Sequence, residues 1–262
     1  MNQLTLNHVL TALGGGRSVT AFFLVLARVS PLFAIAPIFS AKQMPIRVKG
    51  VVAVALAIGL TGLAMHGEHV PTEPTQVAGL IVVNVLVGIL FSFAVAALLA
   101  AVQTAGGIAD IVSGFSFGAT VDPVNGNPGG VFSEWYAMLG VMVFIAIGGD
   151  AWEMRGLART FTLVPLTKAP HIASLANAAE MSFASIFTSA LEVAAPVVLA
   201  LMITDVAFGM VSKVVPQMNV FSVAFPLKVG VSLLAVTATL PFLGGWMSDQ
   251  IYTSVATALH AL

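Results

Sequence analysis

Residues 190 to 228 read ALEVAAPVVLALMITDVAFGMVSKVVPQMNVFSVAFPLK. The stretch joins the end of one long apolar run, 184 to 215, to the start of another, 227 to 247. Between them lies PQMNVFSVAFP, 216 to 226, polar at its tip and bounded by prolines. A helix that crosses a bilayer needs about 20 apolar residues. Pro216 and Pro226 lack the amide that a continuing helix donates, so helices are expected to stop or kink on either side. The stretch therefore reads as an antiparallel helical hairpin with a polar tip. Lys213 and Lys228 flank that tip and point to the cytoplasmic side. Ala194, Ala195, Ala200, Ala207 and Gly209 are small enough to let helices pack closely within a membrane assembly.

Composition agrees. Of 262 residues, 58% are hydrophobic and 8% charged, against about 25% charged in a soluble domain. So few charges cannot cover a globule in water, and the class is an all-α integral membrane protein. A net charge of −1 excludes a basic nucleic-acid binder. The absence of cysteine excludes disulfides, thiolate nucleophiles and cysteine metal sites. AIAP at 34 to 37 resembles a signal-peptidase site, but Pro37 is expected to block cleavage, so the first run is taken as a retained helix.

Six hydrophobic runs stand out, at 18–39, 50–65, 77–102, 135–149, 184–215 and 227–247. Only the third and sixth have the length of simple spans. The first is interrupted by Arg28, Pro31 and Pro37, and the fifth carries Glu192, Pro196 and Asp205. A charge at the centre of a lipid-facing helix costs roughly 2.5–3.5 kcal/mol, so such helices are expected to face protein or water in part. Lys42, Arg47 and Lys49 place 41–50 in the cytoplasm, with the acidic 66–74 outside. Strict alternation then fails: 103–134 has no basic residue, whereas 150–183 holds Arg155, Arg159 and Lys168. Some runs are therefore not ordinary spans but re-entrant, or held out of the bilayer by partners.

Catalytic signals are weak. No phosphate-binding P-loop and no nucleophile elbow occur. His66, Glu68 and His69 lack metalloprotease spacing and read as a solvated loop. The expectation is no catalytic residue, no metal and no cofactor. An intramembrane hydrolase would need a paired constellation that the sequence lacks. Glu192 and Asp205 are thirteen residues apart, so they fall about 140° apart around a helix and do not form a carboxylate pair. Buried polar contacts to a neighbouring helix are favoured for both over ion coupling.

One connection is unusual. Residues 114 to 130, GFSFGATVDPVNGNPGG, combine glycines and turn signals with Phe115, Phe117 and Val121. Those apolar residues are out of place in a solvated loop. Irregular backbone at membrane depth belongs inside protein or beside a water-filled cavity, and a hydrophobic constriction in a pore suits such residues.

Four stretches resemble the FliR family of flagellar biosynthetic proteins, which also includes the export-gate component of virulence type III secretion systems (the FliR/SctT family). They are 26–50, 114–123 (GFSFGATVDP), 190–228 and the apolar run that follows. The resemblance implies a non-enzymatic subunit of a membrane export gate. Helical hairpins, some bent or short, would assemble with homologous subunits into a helical, cone-like channel. Residues 1–183 would be a FliP-like part including a plug loop at 106–130, and 184–262 a FliQ-like hairpin. Implied partners are FliP-like, FliQ-like, FlhB-like and FlhA-like proteins, the membrane, and unfolded export substrates, with no nucleic acid. The implied place is the bacterial inner membrane at the flagellar basal body, with part of the assembly toward the periplasm.

By the same resemblance, Gly114, Phe115, Ser116, Phe117, Gly118, Ala119, Thr120 and Val121 would plug the channel. Pro216, Gln217, Met218, Asn219 and Phe221 would form a tip at its cytoplasmic entrance. Two alternatives remain at this stage: an injectisome subunit, and a secondary transporter coupling ions at Asp205 or Glu192, with discontinuous helices at 18–39 and 184–215.

Overall fold

The computed structural model describes residues 16–40, 44–65, 70–116, 130–217 and 219–260. Among the described residues the fold is all-α: α1 (Gly16–Ile35), α2 (Ile46–Ala64), α3 (Pro74–Ser113), α4 (Val131–Ala146), α5 (Gly149–Leu163), α6 (Ile172–Val214) and α7 (Val220–His260). Five of them, α1, α2, α3, α6 and α7, are long and apolar enough to cross a membrane, and α4 with α5 passes as a sixth, broken span. The chain is an all-α integral membrane protein.

Several elements exceed what the apolar runs suggest. Helices α3, α6 and α7 have 40, 43 and 41 residues. At 1.5 Å per residue each is about 60 Å long, twice the roughly 30 Å hydrocarbon core. Helix α3 continues past 102 through Gly106 and Gly107 to Ser113, so the irregular connection starts at 114 rather than 106. The basic connection at 150–183 is largely helix, α5 and the start of α6, which is why counting it as a loop broke the alternation of charge. Helices α1 and α2, with 20 and 19 residues, do reach spanning length. Pro216 does follow the end of α6, but Pro226 lies inside α7, as does Pro241, and the tip narrows to 215–219. A proline forfeits one backbone bond, which long membrane helices tolerate where neighbours satisfy the freed carbonyl.

The chain divides into two compact units, the first from Met1–Ala96, Asp150–Ser182 and Ile251–Leu262, the second from Ala97–Gly149 and Phe183–Gln250. The first unit has stripes at helical spacing: Ala21, Leu24, Arg28 and Leu32 on α1, Asn84, Val87, Phe91 and Ala94 on α3, and Glu153, Leu157, Thr160 and Phe161 on α5 are all buried. Trp152 and Tyr252 stack edge-on at 4.4 Å.

In the second unit α4 buries Phe132, Tyr136, Gly140 and Phe144, one residue every four. Any side chain at Gly140 would press on Val102 and Leu99 of α3, so the two helices pack closely there. Helix α6 contributes Ala190, Val193, Ala194, Val197 and Leu201 to the buried set, and α7 contributes Val236, Leu243 and Met247.

Candidate gating site

Helix α4 starts without a cap of its own. Its N-cap is Gly130, at φ −67° and ψ 165°, with no side chain to accept the first amides. Those amides would be left unsatisfied in a buried helix end. Asp110, one turn before the end of α3, supplies the acceptor. Its carboxylate takes the Phe132 amide at 2.9 Å on Oδ1 and the Ser133 amide at 2.8 Å on Oδ2. Asp110 is 2% exposed. The positive end of the α4 dipole and two charged hydrogen bonds offset its burial.

The fit around this carboxylate is close. A Cβ on Gly130 would overlap the Asp110 carboxyl, and one on Gly106 would overlap the Phe132 carbonyl. The two ends of the 114–130 segment are thus fastened together at its base. Gly114 turns the chain off α3 at φ 94°, a left-handed value that favours glycine, and its amide donates to the Asp110 carbonyl at 3.1 Å. Phe115 then lies edge-on between Phe132 of α4, 5.3 Å away, and Phe225 of α7, 6.1 Å away. Of the plug candidates, Gly114, Phe115 and Ser116 are half-buried at this base. Phe117, Gly118, Ala119, Thr120 and Val121 lie outside the described residues.

The hairpin tip is small and exposed. Pro216 and Gln217 form a turn, and Met218 lies outside the described residues. Asn219 opens α7: the Ser222 amide donates to its Oδ1 at 3.4 Å, and the Ser222 hydroxyl to its carbonyl at 2.8 Å. The backbone of Phe221 belongs to the first turn of α7. Below the tip, Lys228 pairs with Asp205 at 2.5 Å, Trp246 Nε1 donates to Glu192 at 3.0 Å, and Gln250 Nε2 donates to the Ser189 hydroxyl at 2.9 Å. Glu192 and Asp205 therefore each reach a side chain of α7. Their expected burial is not supplied by the chain itself, since both are exposed in it. Both lie on α6, which, like α1, is one continuous helix rather than a discontinuous one.

A polar hub anchors the first unit. Arg28 is fully buried, and its Nε donates to Asn84 Oδ1 at 2.9 Å. Its Nη1 donates to the carbonyls of Thr160 and Val164 at 3.0 and 2.8 Å, and its guanidinium lies 4.6 Å from the Phe161 ring centre. Arg28 thus serves as the C-terminal cap of α5, whose last carbonyls have no partner within the helix. Asn84 Nδ2 takes up the Leu166 carbonyl, two residues on, at 3.1 Å. Glu153 is also buried on α5, and among the described residues neither of its oxygens has a hydrogen-bond partner.

Among the described residues no group of histidine, aspartate and glutamate could hold a metal. His66, Glu68 and His69 lie outside them. Sequence reasoning placed Asp110 in a connection and Arg28 in an interrupted run. The signal available for both was a lone charge within an apolar stretch. Their partners, 22 to 136 residues away in sequence, carry no spacing that could have identified them.

Comparison with known proteins gives one family over almost the whole chain. The description "Bacterial export proteins, family 1" matches residues 19–254. The chain is 29% identical to the flagellar biosynthetic protein FliR of Escherichia coli K12, over 92% of this chain and 93% of that one. It is 28% identical to FliR of Bacillus subtilis 168, over 82% and 83%. It is 26% identical to the surface presentation of antigens protein SpaR of Shigella flexneri, over 81% and 80%.

Proposed function

The chain belongs to the bacterial export proteins, family 1, and on that footing we propose that it is a non-enzymatic channel subunit of the flagellar type III export gate. Unfolded flagellar proteins would pass through a pore that it forms with FliP-like and FliQ-like subunits. FlhB-like and FlhA-like proteins would meet it on the cytoplasmic side. The assembly would sit in the inner membrane at the basal body, extending toward the periplasm, with 1–183 as the FliP-like part and 184–262 as the FliQ-like hairpin.

One observation supports the gating role: Asp110 and Phe115 hold the end of α3 against the start of α4, where the 114–130 segment leaves and returns. A loop held this way can plug a pore and move aside without its flanking helices coming apart. Helices of about 60 Å also favour a protein-lined assembly over a chain alone in lipid. Identities of 29% and 28% to FliR of Escherichia coli and Bacillus subtilis, against 26% to SpaR of Shigella flexneri, favour a flagellum over an injectisome.

The test is a co-expressed gate with residues 115–118 deleted. Reconstituted gates should then leak small ions while the subunits still co-purify. Gates as tight as wild type would remove the plug role. Ion coupling at Asp205 or Glu192 is disfavoured because both are exposed and engaged with α7. Substrate-driven ion flux by the purified chain alone would reverse that judgement.

A further inference from the structure

Helices α1 and α2 leave a groove between them, a cavity of about 420 Å³. Phe33 and Ala34 line it from α1, and Ile46, Gly50 and Ala53 from α2. Lys49 completes the lining, and its Nζ donates to the Ser40 carbonyl at 2.8 Å. An ammonium has three donors, so this bond leaves capacity for an anion. No acidic side chain pairs with Lys49 among the described residues. The described residues at the start of α2, 44–50, carry Arg47 and Lys49 and no acid. Both helices are membrane spans by length and hydropathy. The exposed face of α2, with Ile46, Val51, Val54 and Ile58, is apolar.

An apolar groove in the bilayer region, with a cation at its lining and a basic segment at its end, matches one ligand class in both parts. Basic pockets between membrane helices at the cytoplasmic leaflet attract anionic headgroups, and the apolar walls accept acyl chains. We propose that this groove binds one anionic phospholipid, its phosphate on Lys49 and one acyl chain along Phe33, Ala34, Gly50 and Ala53. The site is separate from the gating segment and does not depend on the plug role.

The test uses the full chain in nanodiscs containing diazirine-bearing phosphatidylglycerol or, separately, phosphatidylcholine with the same chains. After irradiation, label is mapped to peptides covering residues 30–53. Phosphatidylglycerol should label them about fivefold more than phosphatidylcholine, the preference expected of one cation near the surface. Lys49→Gln should bring the two lipids to equal labelling. A Cβ at Gly50 meets nothing within 4 Å, so Gly50→Leu should fold and, by filling the groove, abolish labelling by both. The control Lys213→Gln should change nothing. Equal labelling in wild type, or a preference that survives Lys49→Gln, would overturn the proposal. So would labelling lost on co-expression with FliP-like and FliQ-like subunits, since a partner helix would then own the groove.

Discussion

Replacing Asp110 by alanine should release the base of the 114–130 segment without unfolding the chain. Two buried acceptors vanish, at 2.9 and 2.8 Å from the Phe132 and Ser133 amides. A lost helix cap costs about 0.5–2 kcal/mol, and a hydrogen bond to a charged group about 1.5–3 kcal/mol. Relief of the carboxylate's own burial works in the opposite direction, so about 3 kcal/mol is a reasonable net cost. At 1.4 kcal/mol per factor of ten, the base should open about 100-fold more often. Asp110→Asn keeps one acceptor but turns an amide donor toward the other N–H, and should lie between wild type and alanine. Hydrogen–deuterium exchange in detergent reads this directly, because amides in the first turn of α4 have no carbonyl of their own helix to fall back on. Peptides covering 130–136 should exchange about 100-fold faster, with peptides of the first unit unchanged. Protection within threefold of wild type would refute the clamp.

Gly130→Ala should mimic Asp110→Ala, because its Cβ would take the place of the carboxyl. The double variant should be no worse than either single one, since both break the same contact; exchange of the 130–136 peptides measures this. In the first unit, Arg28→Leu strands Asn84 Oδ1 and the Val164 carbonyl just past α5, while the Thr160 carbonyl keeps the Val164 amide. At about 1–3 kcal/mol per buried orphan it should lower the melting temperature in detergent by several degrees or prevent accumulation. Arg28→Lys should recover little of that loss, because a single ammonium cannot reproduce the fork. Asp205→Asn removes a half-exposed ion pair, 48% exposed on the aspartate side. It should cost under about 1 kcal/mol and leave motility unchanged; a non-motile strain with normal gate assembly would instead argue for a role in transport.

The sequence and the structure agree where the signal is local. Pro216 ends α6, Asn219 opens α7, and Gly114 turns the chain off α3. Each of these follows from one residue's backbone chemistry. They part where tertiary contacts decide. Gly106 and Gly107 look like a break, yet α3 runs through them, because the absence of a side chain at Gly106 lets the Phe132 backbone pack against the helix. Arg155 and Arg159 made 150–183 look like a charged connection. In α5 they face outward while Leu157, Thr160 and Phe161 face inward, a 3.6-residue pattern too short and too polar to stand out as an apolar run. Arg28 looked like an interruption of a span and is instead a buried tie between helices, its Nε and Nη1 bonded to Asn84, Thr160 and Val164 and its Nη2 without a partner among the described residues.

The same comparison bears on why this chain would work in company. Several of its polar side chains tie its own helices together: Asp110 joins α3 to α4, Arg28 joins α1 to the end of α5, and Asp205 and Glu192 join α6 to α7. The outward faces are the opposite. Phe183, Phe187, Leu191, Leu199, Ile203, Met210 and Val214 of α6 are all exposed, an apolar face about 46 Å long. Lipid about 30 Å thick can cover about half the length of a 43-residue helix. The remaining half must be covered by protein or face water, and a face this apolar is not built for water. Close homologues in shape, presenting equally long helices side by side, would cover it without new chemistry. A subunit whose apolar faces outrun the bilayer is therefore suited to a protein-lined assembly.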